Sequence, residues 1–587
     1  MTRRRVLFAA LVLLTMLLML WLMFKVLSPK GFDVLDSLIL LAFAMTLPWT
    51  VVGFCNALVG LLVDLFAKSP LLCVNPLAGN VPPDARLDSS TAILLCIRNE
   101  MPARLVRNLE LLGKGLIASE QGASFHLYVL SDTTDEQIAQ QEALAFEQLA
   151  ANWKDQLSLT YRRRTLNTGF KAGNIKDFCD RWGSSHDFAL VLDADSLMSA
   201  AAVIRLALIM QFNPRLGILQ GLVVGLPTER AFTRIFQFGM RLGMRSYTMG
   251  SAWWQGDCGP YWGHNAVIRL APFIESCELP VLKGKGGKDE HSLSHDQVEA
   301  VLMRRAGFDV RVYPLEDESY EENPPNLIDF ATRDLRWCAG NMQYFRLLSW
   351  PGLKFTSRVQ LLMAIFMFAG APAWLLLLGL LGWLARGRSD LATVFDLTAL
   401  KYLAIVTIVM MVAPKLSAAI SVLVRARQRR SFGGTLRFFV GLAIDFVFAA
   451  FVTPILWVSQ TLLLLGLLLG KRIGWGAQNR DNERVGWVAA TQVFGIHTAV
   501  GLLLAWPWLA SSWDVVAVLS YFIGGLVFAI PFAIVTSRAS VGRAMKATEL
   551  CAIPEDISPP AFLMGIAKIT SDHNPPIAPH SSLDSGQ

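Results

Sequence analysis

Charged residues are scarce in this chain, at 17% against 53% hydrophobic, and the apolar residues come in runs. That balance excludes an ordinary soluble protein and a disordered one, and leaves a membrane protein. The eight cysteines form no CxxC pair, and none falls in a loop expected outside the membrane. A zinc site and a disulfide framework are therefore disfavoured, and the thiols should be reduced and packed. No internal repeat of solenoid length is present. The first apolar run, residues 6–27, ends at Phe24, Lys25 and Val26 without a small-residue cleavage site, so it reads as an uncleaved anchor. The net charge of +7 is accounted for largely by basic clusters beside the apolar runs, in contact with anionic lipid, and gives no reason to invoke nucleic acid.

Further apolar runs cover residues 35–66, 361–384, 400–424, 436–470, 487–509 and 515–535, each long enough to cross a hydrocarbon core of about 30 Å. Basic clusters at residues 3–5, 425–430 and 538–546 should share the cytosolic face. Meeting that requirement predicts that 436–470, interrupted by Pro454, is a tight hairpin of two short spans, giving eight spans with both termini cytosolic; the rival count of seven leaves the 538–546 cluster outside. The chain then divides into two helices (1–70), a cytosolic domain with interfacial helices (71–357), a bundle of about six helices (358–550) and a tail (551–587) rich in Pro, Ser and Asp that is expected to be disordered. Lys415 and Asp445 each lie nine residues from the cytosolic ends of adjacent runs, roughly 13 Å deep at the helical rise. Isolated charges there cost about 2.5–3.5 kcal/mol, so the two are expected to pair.

Between the second and third runs lies a polar interval with alternating patterns. TAILLCI (91–97), FHLYVLS (125–131), LSLTYR (157–162) and DFALVLDAD (187–195) read as strands, separated by helices near 104–114, 134–149, 172–182 and 200–212. This predicts a mostly parallel sheet covered on both faces, inserted into a multi-span α-helical membrane protein. Ligands bind such sheets outside the carboxyl ends of the strands. Those ends carry Asn99 and Glu100, Asp132, residues 162–164, and Asp193 with Asp195. Asp193 and Asp195 can hold a hard divalent ion whose shell a sugar-nucleotide diphosphate would complete. So many acids on one edge need a cation or basic partners. Lys171, Gly173 and Asn174 open a helix whose free N–H groups and dipole suit phosphate. Residues 283–288 form a glycine–lysine connector. Trp253, Trp254, Tyr261 and Trp262 suit either sugar rings or an interfacial aromatic belt.

Taken together, IRNE (97–100), SDT (131–133), NTGFKAGN (167–174), DADS (193–196), SHD (294–296) and RDLRW (333–337) resemble the membrane-bound, polymer-forming family 2 glycosyltransferases. The stretch from SHD to RDLRWCAGNMQY most resembles the glucans biosynthesis glucosyltransferase H family. That resemblance implies a cytosolic GT-A, Rossmann-like glycosyltransferase domain in a bacterial inner membrane, UDP-glucose as donor, Mg²⁺ or Mn²⁺, and inverting transfer to a growing glucan acceptor. The same resemblance implies a β-glucan destined for the periplasm, with periplasmic glucan-processing proteins as partners. It also implies residue roles: Asp132 at the uridine; Lys171 with the Gly173 and Asn174 backbone at the diphosphate; Asp193 and Asp195 at metal and donor. Asp296 is the expected base, Arg336 meets the diphosphate and Trp337 the acceptor sugar. The wider group carries Gln where this chain has Arg333, which is assigned only as a site neighbour. The alternative is another processive synthase, of the cellulose, chitin or hyaluronan type. Asp296 also begins a helix, where its side chain could act as a cap.

Overall fold

The computed structural model describes residues 1–283, 289–388, 390–471, 484–509 and 513–566. Nearly all of the glycine–lysine connector, and the tail from 567 onward, lie outside the described residues.

Among these residues the central sheet runs Asp309–Tyr313, Leu216–Gly221, Ala266–Arg269, Phe188–Asp193, Thr91–Ile97, Phe125–Ser131, Ser158–Arg163. Only Ala266–Arg269 is antiparallel to its neighbours. The two-residue period of a strand explains the double covering. Ile93, Leu95 and Ile97 enter one hydrophobic cluster, whereas Ala92 and Leu94 enter another on the opposite face. The expected strands and helices are present, with helices at Pro102–Ala118, Glu136–Asn152, Phe170–Trp182 and Ala200–Gln211. A smaller sheet pairs Ser319–Glu321 with Ser196–Met198 and Val224–Gly225. It places the strand after the Asp193–Asp195 turn beside a segment far away in sequence.

The helix Ala231–Gln255 joins this domain to the spans. Its Gly250 packs against the backbone of Asn56, and Gly60 of the helix Val34–Phe66 packs against the backbone of Ser246, so a Cβ at either glycine would collide. Small residues permit this close helix approach. Among the described residues six helices are long and apolar enough to cross a membrane: Thr2–Leu27, Val34–Phe66, Phe355–Ala385, Leu397–Val424, Thr435–Leu468 and Trp487–Trp508. The pair Val515–Val527 and Ala529–Thr536, bent by 70°, makes seven at most.

Two expectations are corrected. The stretch 436–470 is one helix, Thr435–Leu468, with Pro454 inside it, so the eight-span count falls to six or seven. Proline is tolerated in a membrane helix because neighbours satisfy the freed backbone groups. Arg437 near the start of Thr435–Leu468 pairs with Glu549, and Gln460, eight residues before its end, donates to Asp334 of the helix Leu327–Met342. Arg5 pairs with Asp257 at 2.6 Å and Lys546 with Glu229 at 2.6 Å, so the N-terminus and the segment after the last apolar helix share the domain's face. Residues 551–566 are not disordered. Glu555 pairs with Arg241, Asp556 with Arg234 at 3.0 Å, and Leu563 is buried with Leu111, Leu197, Val224, Leu226 and Tyr320. Composition averaged over the tail hid these few anchors.

Lys415 and Asp445 do pair, at 2.7 Å. Gly239 of the helix Ala231–Gln255 lies against them, where a Cβ would strike the Asp445 carboxylate.

Candidate active site

The strand ends and the segment around Asp296 enclose one cleft of about 280 Å³. It is lined by Glu100, Asp132, Lys171, Asn174, Asp193, Asp195, Asp296, Arg336 and Trp337, together with Arg98, Trp262, His264, Glu321 and Arg333. Residues spread over more than two hundred positions therefore converge on one space, as the carboxyl-end rule requires.

The acids coexist because bases face them. Arg164 grips Asp132 through two hydrogen bonds, at 2.7 and 2.6 Å, a bidentate fit that guanidinium geometry favours. Lys171 Nζ pairs with Asp193 and also donates to the Gly263 carbonyl at 2.6 Å. Burial opposes the Lys171 charge, but Asp193 outweighs it and raises the amine above its ordinary value. Arg104 bridges Glu100 at 2.8 Å and Glu322 at 3.4 Å. A diphosphate entering here would meet a lysine already drawn toward the strand end.

Not every expected residue faces the cleft in the expected way. Asn99, with φ 54°, is absent from the lining; its side chain accepts from the backbone N–H groups of Thr134 and Asp135, at 2.9 and 3.0 Å, and so ties two strand-end loops together. Asn174 donates to the Leu130 carbonyl at 2.8 Å and accepts from Arg162 at 2.7 Å, anchoring its helix to the sheet. The Gly173 N–H is taken by the Gly169 carbonyl at 2.9 Å, and a Cβ there would collide with Thr168. The helix start at Phe170 follows Gly169 in the left-handed region, φ 76°, leaving the amides of 170–172 as the free end. Of the aromatic cluster, only Trp262 lines the cleft. Trp254 is buried, stacking on Phe8 at 4.7 Å and donating to Asn56 at 2.9 Å.

Asp296 is held from two sides. The preceding loop is pinned to the helix Leu327–Met342 and the turn after it: Leu293 N–H donates to Gln343 at 2.8 Å, Tyr344 Oη to the Ser294 carbonyl at 3.2 Å, and Gly340 leaves no room for a Cβ beside Ser294. Gly263, at φ 86°, lets its backbone approach Asp296. The cap position belongs to His295, with no side-chain cap bond. Burial raises the Asp296 carboxyl above its usual range, despite His295 beside it. For His295 burial opposes the charge, yet Glu299, accepting from Nδ1 at 2.9 Å, raises the imidazole above its ordinary value. At the cleft mouth Trp337 is 43% exposed, and the Arg333 guanidinium lies 4.8 Å from its ring centroid, a cation–π contact.

Glu321 and His264 escaped the motif reading. Burial, with Asp195 and Asp193 nearby, raises the Glu321 carboxyl above its usual range, and His264 Nε2 stands 3.6 Å from it. The pairing of Ser319–Glu321 with Ser196–Met198 carries Glu321 to the cleft, and a strand of three residues leaves no period in the sequence that could have signalled it.

Among the described residues no group of three or more His, Cys, Asp or Glu is set to hold a metal. Asp193 and Asp195 offer hard oxygen donors at a strand end, which fits an ion of the magnesium type that takes one or two carboxylates and the rest from phosphate and water. The fit thus requires a phosphorylated ligand.

A family model described as glycosyl transferase family group 2 matches residues 188–414. Glucans biosynthesis glucosyltransferase H of Xanthomonas euvesicatoria pv. vesicatoria (strain 85-10) is 34% identical over 562 residues, covering 94% of this chain and 86% of that protein. The protein of the same name from Caulobacter vibrioides (strain NA1000 / CB15N) is 34% identical over 575 residues, covering 94% and 85%. Among solved structures, a mannosyltransferase from Pyrobaculum calidifontis in complex with GDP-Man and Mn²⁺ aligns with a TM-score of 0.43 at 14% identity, covering 66% of this chain and 99% of that one, a likeness too loose to transfer residue roles.

Proposed function

Because this chain belongs to the glucans biosynthesis glucosyltransferase H family, we propose that it transfers glucose from UDP-glucose, with inversion, onto a growing β-glucan at the cytosolic face of a bacterial inner membrane. The observation that carries this reading is the single cleft in which Asp132, Lys171, Asp193, Asp195, Asp296, Arg336 and Trp337 meet.

The division of labour follows from charge. Asp132, fixed by Arg164, suits a nucleoside's hydrogen-bond donors. Lys171, Arg336 and the helix start at Phe170 face a diphosphate. Asp193 and Asp195 would hold Mg²⁺ or Mn²⁺, which when bound offsets charge on the departing diphosphate. Asp296 takes the proton of the acceptor hydroxyl as that oxygen forms its bond to the anomeric carbon and the bond to the UDP oxygen breaks; one displacement inverts the centre and needs no covalent intermediate. Trp337 offers the acceptor ring a flat apolar face. Sharing of one face by the N-terminus, the α/β domain and residues 539–566 supports cytosolic termini, and the spans support delivery of the product toward the periplasm.

The test is to incubate the full-length protein, in detergent or lipid nanodiscs, with UDP-glucose and Mg²⁺, then measure UDP release and determine product linkage by NMR. Release of UDP with a β-linked glucan is expected. A different polymer, or no UDP release, would overturn the reading.

A further inference from the structure

We propose that Glu321, steadied by His264, reads the hexose of the donor: its carboxylate accepts hydrogen bonds from the sugar's hydroxyls and rejects a uronic acid. The proposal deepens the assignment of UDP-glucose and rests on it.

Three observations place Glu321 in that role. By strand register it lies opposite Ser196, the residue after Asp195, and so beside the carboxylates expected at the diphosphate. It lines the same cleft as Asp296, which must reach an acceptor oxygen at the anomeric carbon. A hexose joined to the diphosphate and attacked beside Asp296 has to lie between these two sets of residues. Neither Glu321 nor His264 is otherwise needed there for the base or for the diphosphate.

The strand is also braced from behind. Successive side chains of a strand point to opposite faces, so Tyr320 turns away from the cleft. It packs into the cluster that holds Leu563, and its hydroxyl donates to Glu555 at 3.4 Å. Arg241, buried in the helix Ala231–Gln255, ties Glu555 to Glu316, the latter at 2.6 Å. Glu322 reaches Arg104 at 3.4 Å. On the cleft side, His264 Nε2 stands 3.6 Å from Glu321 while its Nδ1 faces Asn265 at 3.1 Å. Glu321 is therefore presented by a strand fixed on both sides, as a specificity group needs to be.

The chemistry follows. An ionised carboxylate only accepts hydrogen bonds, which matches the hydroxyl donors of a neutral hexose. The carboxylate of a uronic acid would bring a like charge into a partly buried site, a repulsive element that discriminates without added attraction to the right sugar.

The experiment is competition between UDP-glucose and UDP-glucuronate in wild type, Glu321→Gln and Glu321→Asp, with UDP release and donor binding by calorimetry as separate readouts. Glu321→Gln should shift the preference toward the uronate by about tenfold or more and weaken UDP-glucose while leaving UDP itself bound. Glu321→Asp should keep the rejection while lowering the rate with UDP-glucose. A folded Glu321→Gln protein with the wild-type ratio would overturn the proposal. If that variant does not fold, His264→Asn carries the same test, since loosening Glu321 must lower the ratio, and an unchanged ratio counts against it. Wild type that ignores UDP-glucose altogether would refute the donor assignment instead, a distinguishable failure.

Discussion

Asp445 and Asp296 are both withdrawn from water, one among the apolar helices and one in the cleft, and the protein treats them in opposite ways. Asp445 is met by Lys415 at 2.7 Å, a built-in partner that needs no ligand. Asp296 is left where burial opposes its charge and raises its carboxyl above the usual range. A structural acid is neutralised by its own fold; the base proposed for the cleft is one that would be kept ready for a proton that the substrate brings. The first kind should matter to stability and little to chemistry, and the second the reverse.

The sharpest way to break this contrast is Asp296→Asn. Turnover should fall by about 10²-fold or more, the scale of general base catalysis, while UDP-glucose affinity measured by calorimetry stays nearly intact. Stability should not fall with it. A group whose folded pKa is raised holds its proton more tightly in the native state, so its ionisation subtracts stability as pH rises from its unfolded to its folded pKa, and the subtraction persists above. The neutral amide removes that subtraction, and thermal melts at neutral pH should show an unchanged or higher midpoint. Retention of more than about a tenth of the turnover, against the loss general base catalysis implies, would move the base elsewhere.

A second change tests the other acids of the cleft. Asp195→Ala should lose the response to Mg²⁺ or Mn²⁺ together with donor affinity, by about 10- to 100-fold, the range typical of disturbing a metal site. Wild type should stop in excess EDTA and recover on adding the ion. Full activity in chelator would remove the metal from the cleft.

The pH profile gives a smaller effect. As the proposed base, Asp296 would work only when ionised, so kcat/KM should fall on the acid side with a midpoint above the ordinary aspartate range. A limb at the ordinary position would mean that the cleft is wetter than the burial of Asp296 implies.

Much of this was legible in the sequence, for physical reasons. Strands and helices of the α/β domain follow from hydrophobic period, and the strand-end rule gathers Asp132, Asp193 and Asp195 without any coordinates. Lys415 and Asp445 could be matched by depth alone. What failed to show was whatever depends on partners distant in the chain. Arg164 as the counter-ion of Asp132 is set by a turn geometry that the pattern does not carry. Glu321 reaches the cleft through a three-residue strand paired with Ser196–Met198, too short to leave a period. Asn99 spends its side chain on tying two strand-end loops together, while Asn174 lines the cleft as its backbone role requires and uses its buried amide to hold its helix to the sheet. The supposed hairpin at Pro454 treated proline as a breaker, a rule of water and not of lipid.

The smallest effect on turnover, and the one that completes the comparison, is expected from Lys415 and Asp445. Removing either partner of a buried pair costs about 3–5 kcal/mol because the other charge is left without compensation. Lys415→Ala and Asp445→Ala should therefore lower folded yield and melting temperature, while the surviving folded protein keeps turnover within a few-fold of wild type. Gly239 supplies an independent lever, since a Cβ there would press on the Asp445 carboxylate; Gly239→Ala should destabilise in the same direction without changing any charge. Exchanging the two residues, Lys415→Asp with Asp445→Lys, restores opposite charges at one depth. Recovery should be partial, because the space against Gly239 is shaped for a short carboxylate and a lysine stem must be bent into it. If the double variant shows the plain sum of the two single losses, no coupling exists between the residues, and the pair is a neighbourly contact with no share in holding the helices Leu397–Val424 and Thr435–Leu468 together.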